Sequence, residues 1–245
     1  QLEGSKDFSK QFMMRYGIPT AASQTFTADS LSEGLAYLDN HSLPVVLKAD
    51  GLAAGKGVII AETIADARQA MHDMLDGQKF GAAGSKVVVE QFLRGIELSV
   101  FDLSDGVNYK ILPEAKDYKR INEGDKGLNT GGMGAVSPVV FANESFLRKV
   151  EDKVVKPTLE GLQKEGIQYK GFIFIGLMKV NGEPYVIEYN ARMGDPETEV
   201  VLPRIQTDFA ELMLATATGE LDKISVQVSP QTAVTTVIVA GGYPE

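Results

Sequence analysis

Two lysines bracket a glycine-rich stretch, Lys48-Ala49-Asp50-Gly51-Leu52-Ala53-Ala54-Gly55-Lys56-Gly57, a pattern suited to an anion with several oxygens. Glycines let backbone N–H groups approach phosphate oxygens, and each lysine adds a point charge. The stretch is not a P-loop, which needs Ser or Thr after its lysine and then a helix. Here Gly57 follows Lys56, and Val58-Ile59-Ile60-Ala61 reads as a strand. A plain hairpin turn accounts for the glycines alone; the flanking lysines shift the reading toward phosphate. A second pattern, Glu188-Tyr189-Asn190, sets a carboxylate and a carboxamide on one face of a strand, about 7 Å apart, with Ile187 and Tyr189 on the other. Such oxygens suit a hard cation, Mg²⁺, Mn²⁺ or Ca²⁺. Arg192 and Gly194-Asp195-Pro196-Glu197-Thr198 follow at the strand's end, and a guanidinium fork there fits a transferring phosphoryl group or an acyl phosphate.

Two further stretches carry candidate groups. Asn129-Thr130-Gly131-Gly132-Met133-Gly134 exposes backbone able to cradle an anion or a small substrate, and it follows the charged run Lys116-Asp117-Tyr118-Lys119-Arg120. Glu90-Gln91-Phe92-Leu93 and, after a turn, Glu97 read as strand, turn and strand, leaving Glu97 available to a pair of ribose hydroxyls.

The elements that must position these groups are legible in outline. Ser5 caps a helix whose Phe8, Phe12 and Tyr16 share a face and which Gly17 and Pro19 end. Leu31, Leu35 and Leu38 mark a second helix ending near Asn40. Strands are expected at 45–49 and 58–61, joined as a hairpin by a long loop, then a helix over 65–75, a strand over 87–92 and two strands across 97–112. Residues 115–137, poor in apolar side chains, read as a long loop. A helix over 144–164 crosses Pro157, and Asn181-Gly182 joins strands 171–180 and 185–192 as a hairpin. A helix at 208–218 and one or two strands complete the pattern.

Composition limits the chemistry. The chain has 245 residues, with 24 Lys and Arg against 33 Asp and Glu, a net charge of -9 that argues against nucleic acid as partner. It has no cysteine and only His41 and His72, which excludes disulfides, thiolate metal sites and a cysteine nucleophile. No apolar run approaches the length of a membrane span, and Gln1–Lys10 is polar and charged, so the expectation is a cytoplasmic protein with no membrane partner.

Together, KADGLAAGKGV at 48–58, NTGGMGA at 129–135 and EYNARMGDPETE at 188–199 resemble the ATP-grasp superfamily and, within it, the phosphoribosylamine–glycine ligase (glycinamide ribonucleotide synthetase) family. The resemblance runs from Leu2 to Pro244, with departures at Tyr118, where the family often has His, and Lys126, where it often has Thr. It implies an α+β ATP-grasp fold: two α+β lobes with antiparallel sheets holding ATP between them. Residues 1–19 would be the leading helix of the core, 20–91 the lid, 92–228 the catalytic core, and 229–245 the start of a C-terminal domain. The family's chains carry an N-terminal domain before Leu2 and a C-terminal domain beyond Glu245. The sequence is therefore expected to be a fragment with the ATP site and little or no ligase activity alone.

Roles follow by resemblance. Lys6 and Lys48 would contact ATP phosphates, with Gly55, Lys56 and Gly57 in the same loop. Glu90, Gln91, Phe92 and Leu93 would offer backbone groups to adenine, and Glu97 would hold the ribose. Glu188 and Asn190 would bind Mg²⁺ or Mn²⁺, and Arg192 would steady the γ-phosphate or the acyl phosphate. Asn129, Thr130, Gly131 and Gly132, with Asp195, would help to place glycine. The implied reaction phosphorylates glycine with ATP and passes the glycyl group to 5-phosphoribosylamine, giving glycinamide ribonucleotide, ADP and phosphate in purine synthesis. The alternatives are an ATP-grasp ligase for another acid and amine, and a module that binds ATP without turnover.

Overall fold

The computed structural model describes residues 1–51, 57–75, 85–124 and 126–244. The first helix, α1 (Lys6–Arg15), begins where expected, with the Ser5 side chain accepting from the N–H of Phe8. Its N-terminus is tied to the strand β2 (Val45–Ala49): the Asp50 carboxylate accepts from Ser5 Oγ at 2.9 Å and from the N–H of Asp7 at 2.7 Å. The other elements of this region are β1 (Ser23–Thr27), α2 (Leu31–Asp39), β3 (Val58–Ala61), α3 (Ile64–Leu75) and β4 (Lys86–Gln91). They form an antiparallel sheet in the order β1-β4-β2-β3.

Strand alternation sets the two faces of that sheet. Val45 and Leu47 of β2 and Val87 and Val89 of β4 enter a core with Phe26, Leu38, Met71 and Met74 of β1, α2 and α3. Burying each such side chain contributes about 1.5–3 kcal/mol. The intervening residues, Lys48 and Glu90, are thereby turned to the opposite face, where α1 lies.

Residues Gln1–Arg94 form one compact unit and Gly95–Glu245 a second. The second is built on an antiparallel six-stranded sheet with β5 (Ile96–Ser104), β6 (Tyr109–Asp117), β9 (Gly134–Ser137), β10 (Gly171–Val180), β11 (Glu183–Asn190) and β12 (Ala233–Thr236), in the order β11-β10-β5-β6-β9-β12. A small ribbon, β7 (Arg120–Asn122) with β8 (Lys126–Asn129), stands apart from it. One face packs Phe101, Leu103 and Phe174 against α6 (Thr198–Val201) and α7 (Phe209–Thr218) through Val200, Val201, Leu212 and Ala215. The other is covered by α4 (Glu144–Val150), a π-helical turn (Glu151–Val155) and α5 (Lys156–Lys164).

The helix survives Pro157 because Lys156 N–H reaches back five residues to the carbonyl of Glu151. Pro157 then falls in the first turn of α5, where a missing N–H costs least. At the hairpin between β10 and β11, Asn181 and Gly182 adopt φ of +50° and +81°, as the tight turn requires.

Two expectations are corrected. Residues 115–137 are not one long loop: β6 runs to Asp117, β7 and β8 pair, and β9 joins the main sheet between β6 and β12. The β7–β8 ribbon gave no apolar alternation because β8 is exposed along its whole length. The sequence reading also had no counterpart to β1, whose single buried side chain is Phe26.

Candidate functional site

The lysine expected to meet phosphate sits in a buried charge cluster. Lys48 Nζ and Lys10 Nζ each lie 3.1 Å from the same oxygen, Glu90 Oε2. Lys48, Glu90 and Lys10 are 6%, 4% and 2% exposed. Lys10 Nζ also donates to Thr20 Oγ1 at 2.7 Å and to the carbonyl of Ala21 at 3.3 Å. Burial pushes the Lys10 ammonium down to about 8; Glu90 opposes that shift and Lys48 adds to it.

One helical turn before Lys10, Lys6 donates from Nζ to the carbonyl of Gly51 at 3.1 Å, at the start of the glycine-rich stretch. Gly57 closes that stretch by accepting from the N–H of Ala49 at 2.8 Å, while Gly55 and Lys56 lie outside the described residues. Of the backbone expected to face adenine, the N–H of Gln91 is already given to the carbonyl of Ala22 at 2.9 Å. Phe92 and Leu93 lie beyond the β4 ladder, with the Arg94 guanidinium 5.5 Å from the Phe92 ring centre.

In the second unit a β-bulge aims the metal candidates. Gly176 pairs with Glu188 but the next residue, Leu177, pairs with Val186, so Ile187 is the extra residue in β11. Without it, strict alternation would put Glu188 and Asn190 on the face of Val186, which is fully buried. The bulge instead gives the buried side to Tyr189, whose hydroxyl meets Thr158 Oγ1 of α5 at 2.7 Å. Glu188 and Asn190 thus share the opposite face, as expected, on the side of Ser99 and Phe101. Glu188 is exposed and Asn190 partly so. Gly176 makes room for this arrangement, since a Cβ there would stand 3.1 Å from Glu188 Cγ.

Around this face stand Glu97 and charges that had been given no role from sequence. Lys119 Nζ lies 2.7 Å from Glu97 Oε1 and 3.5 Å from Asp117 Oδ2. Burial works against the Lys119 charge, but Glu97 and Asp117 outweigh it, with Glu188 adding to them, and hold the ammonium above its usual range. Burial pushes the Asp117 carboxyl up, against the pull of Lys119. Ser99 Oγ donates to Glu197 Oε1 at 2.8 Å, and burial, with the Asp117 charge beside it, raises the Glu197 carboxyl. The run 116–120 was a visible signal for Asp117 and Lys119, and the stretch after Arg192 for Glu197; Ser99 and Lys10 were given no role.

The glycine-rich loop after Asn129 folds against this cluster. Thr130 donates from its N–H and its Oγ1 to the carbonyl of Lys119, at 2.8 and 2.9 Å. Gly132 has φ of +133°, and a Cβ there would lie 2.3 Å from Pro196 Cδ. Gly132 and Asp195 are therefore neighbours. Two of the loop's N–H groups already have protein acceptors: Gly131 donates to the Tyr243 hydroxyl at 3.2 Å and Gly132 to Thr130 Oγ1 at 3.0 Å. Arg192 and Asp195 are exposed, and Arg192 NH1 donates to the carbonyl of Met193 at 2.9 Å.

Among the described residues no three His, Asp or Glu side chains converge as a metal cage. Glu188 and Asn190 fit a hard cation that takes its remaining oxygens from phosphate and water, the usual habit of Mg²⁺. No helix among the described residues is long and apolar enough to cross a membrane.

Residues 4–198 match the family described as phosphoribosylglycinamide synthetase, ATP-grasp (A) domain. The whole chain is 48% identical to a phosphoribosylamine–glycine ligase of Allochromatium vinosum over 246 residues, spanning 57% of that protein. It is 47% identical to a bifunctional purine biosynthetic protein of Pichia angusta, spanning 31% of that one. The crystal structure of phosphoribosylamine–glycine ligase from Thermotoga maritima superimposes with a TM-score of 0.90 at 40% identity, covering all of this chain and 61% of that one.

Proposed function

Because this chain belongs to the phosphoribosylglycinamide synthetase ATP-grasp (A) domain family, we propose that it carries the nucleotide and metal sites of a ligase joining glycine to 5-phosphoribosylamine. ATP would phosphorylate the glycine carboxylate, and the amine would displace phosphate from the resulting glycyl phosphate to give glycinamide ribonucleotide. The observation that carries this reading is the bulged end of β11. It presents Glu188 and Asn190 on one face and leads straight to Arg192 and Asp195.

Phosphoryl transfer needs positioning and charge neutralisation more than covalent help from the protein. Lys6 and Lys48 serve the ATP phosphates, with Gly55, Lys56 and Gly57; Glu90 to Leu93 serve adenine and Glu97 the ribose. Arg192 steadies the transferring group, while Asn129 to Gly132 and Asp195 place glycine. Mg²⁺ or Mn²⁺, held by Glu188 and Asn190, would offset phosphate charge. Residues 20–91 form the lid and 92–228 the catalytic core, with 1–19 leading and 229–245 following. The relatives' longer chains support further domains as the partners that complete the amine site, and a cytoplasmic setting suits such chemistry.

Acyl phosphates react with hydroxylamine, so the test needs no amine substrate. With MgATP and hydroxylamine, glycine should give a hydroxamate, and Arg192→Ala should remove it. Hydroxamate from another amino acid and none from glycine, in a protein of the relatives' full length, would contradict the reading.

A further inference from the structure

The sharing of one carboxylate oxygen by two buried ammonium groups assigns a task to Lys10 that no motif suggests. Lys10 is held from three sides, by Glu90 Oε2 at 3.1 Å, Thr20 Oγ1 at 2.7 Å and the carbonyl of Ala21 at 3.3 Å. It is therefore fixed, with its charge committed to the protein. Glu90 is 4% exposed, and a buried carboxylate stripped of its counter-ion is strongly destabilising. If Glu90 had Lys48 alone, drawing Lys48 toward a phosphate would strand that carboxylate. With Lys10 in place the carboxylate keeps one cation whichever way Lys48 turns.

We propose that Lys10 is a positioning residue for nucleotide binding: it holds Glu90 neutralised, so that Lys48 passes from the carboxylate to a phosphate of the nucleotide at low cost. This rests on the reading of Lys48 as a phosphate contact and deepens it. The low proton affinity of Lys10, a consequence of its burial beside Lys48, agrees with a group placed for its neighbours and not for solvent.

The test is a double-mutant cycle on MgATP affinity, measured by calorimetry on the 245-residue chain. Lys10→Met should raise the Kd about tenfold while the protein still unfolds cooperatively. Adding Glu90→Gln, which removes the charge competing for Lys48, should bring the Kd back to within about threefold of the unaltered protein. Thr20→Val, which loosens Lys10 without removing it, should raise the Kd by about twofold to threefold, and it decides the matter if Lys10→Met does not fold. Unchanged affinity in folded Lys10→Met, or a loss that Glu90→Gln does not recover, would overturn the proposal. Lys48→Ala in parallel separates the two readings. If it leaves affinity intact, the phosphate role of Lys48 fails; if it alone weakens binding, only the task given to Lys10 fails.

Discussion

The Lys10–Glu90–Lys48 group of the first unit and the Glu97–Lys119–Asp117 group of the second use the same chemistry in different surroundings. Both string opposite charges together at hydrogen-bonding distance. In the first, all three side chains are sealed from water; in the second, Lys119 and Glu97 are 37% and 36% exposed and Asp117 alone is buried. Buried charges must be compensated continuously, so the first group binds its own ions tightly and any ligand must be exchanged for an internal partner. The half-exposed pair is partly screened and contributes less by itself. One site is organised by burial, and the other by the bulge that turns Glu188 and Asn190 outward.

The sharpest way to break the comparison is to remove a carboxylate from each group. Glu90→Ala leaves two buried ammonium groups facing each other and should cost about 3–5 kcal/mol in denaturant unfolding. Glu97→Gln leaves Lys119 its second partner, Asp117, and should cost less than about 1 kcal/mol. Equal losses would mean that burial does not separate the two groups.

A smaller effect should appear in pH dependence, with opposite signs. Lys10 titrates near 8 in the folded chain, below the ordinary lysine value of 10.5, so the unfolded chain binds more protons between those limits. Stability should rise with pH across that window, by on the order of 3 kcal/mol, and the rise should vanish in Lys10→Met. Asp117 and Glu197 are raised in the fold, so what they add is present in acid and lost as pH climbs through their folded values. Calorimetric melting across pH reads both trends.

Gly176→Ala should have the smallest effect on the fold, about 1 kcal/mol, because the added methyl presses a side-chain carbon of Glu188 and not backbone. Its signature is selective: Mn²⁺ affinity should fall several-fold while the buried cluster around Glu90 is untouched, since 1.4 kcal/mol corresponds to about tenfold. Loss of fold without loss of Mn²⁺ affinity would detach Gly176 from the metal site.

The sequence disclosed those features whose cause is local. Ser5 caps α1, the leucines of α2 recur at helical spacing and Asn181-Gly182 turns a hairpin, each within a few residues. Glu188, Asn190 and Arg192 were visible because they cluster on one strand and its end. What stayed hidden depends on distant partners. Lys10 lies in a helix, and its counter-ion is 80 residues away, so nothing near it marks it as buried. The bulge at Ile187 is a property of β10 and β11 together: alternation placed Glu188 and Asn190 on one face opposite Tyr189, but carried through Val186 it would have made that face the buried one. In 115–137 the β7–β8 ribbon was missed because β8 is exposed along its length, and β9 because its buried positions, Gly134, Ala135 and Ser137, carry no apolar period.

The most direct measurement is a calorimetric titration of the chain with MgATP, beside Lys48→Ala, each shown to be folded by circular dichroism. The chain should bind saturably, and Lys48→Ala should lose affinity by about a hundredfold or more, a change of about 3 kcal/mol. A folded chain that does not bind MgATP, or a folded Lys48→Ala that binds it as tightly as the unaltered protein, would contradict this expectation.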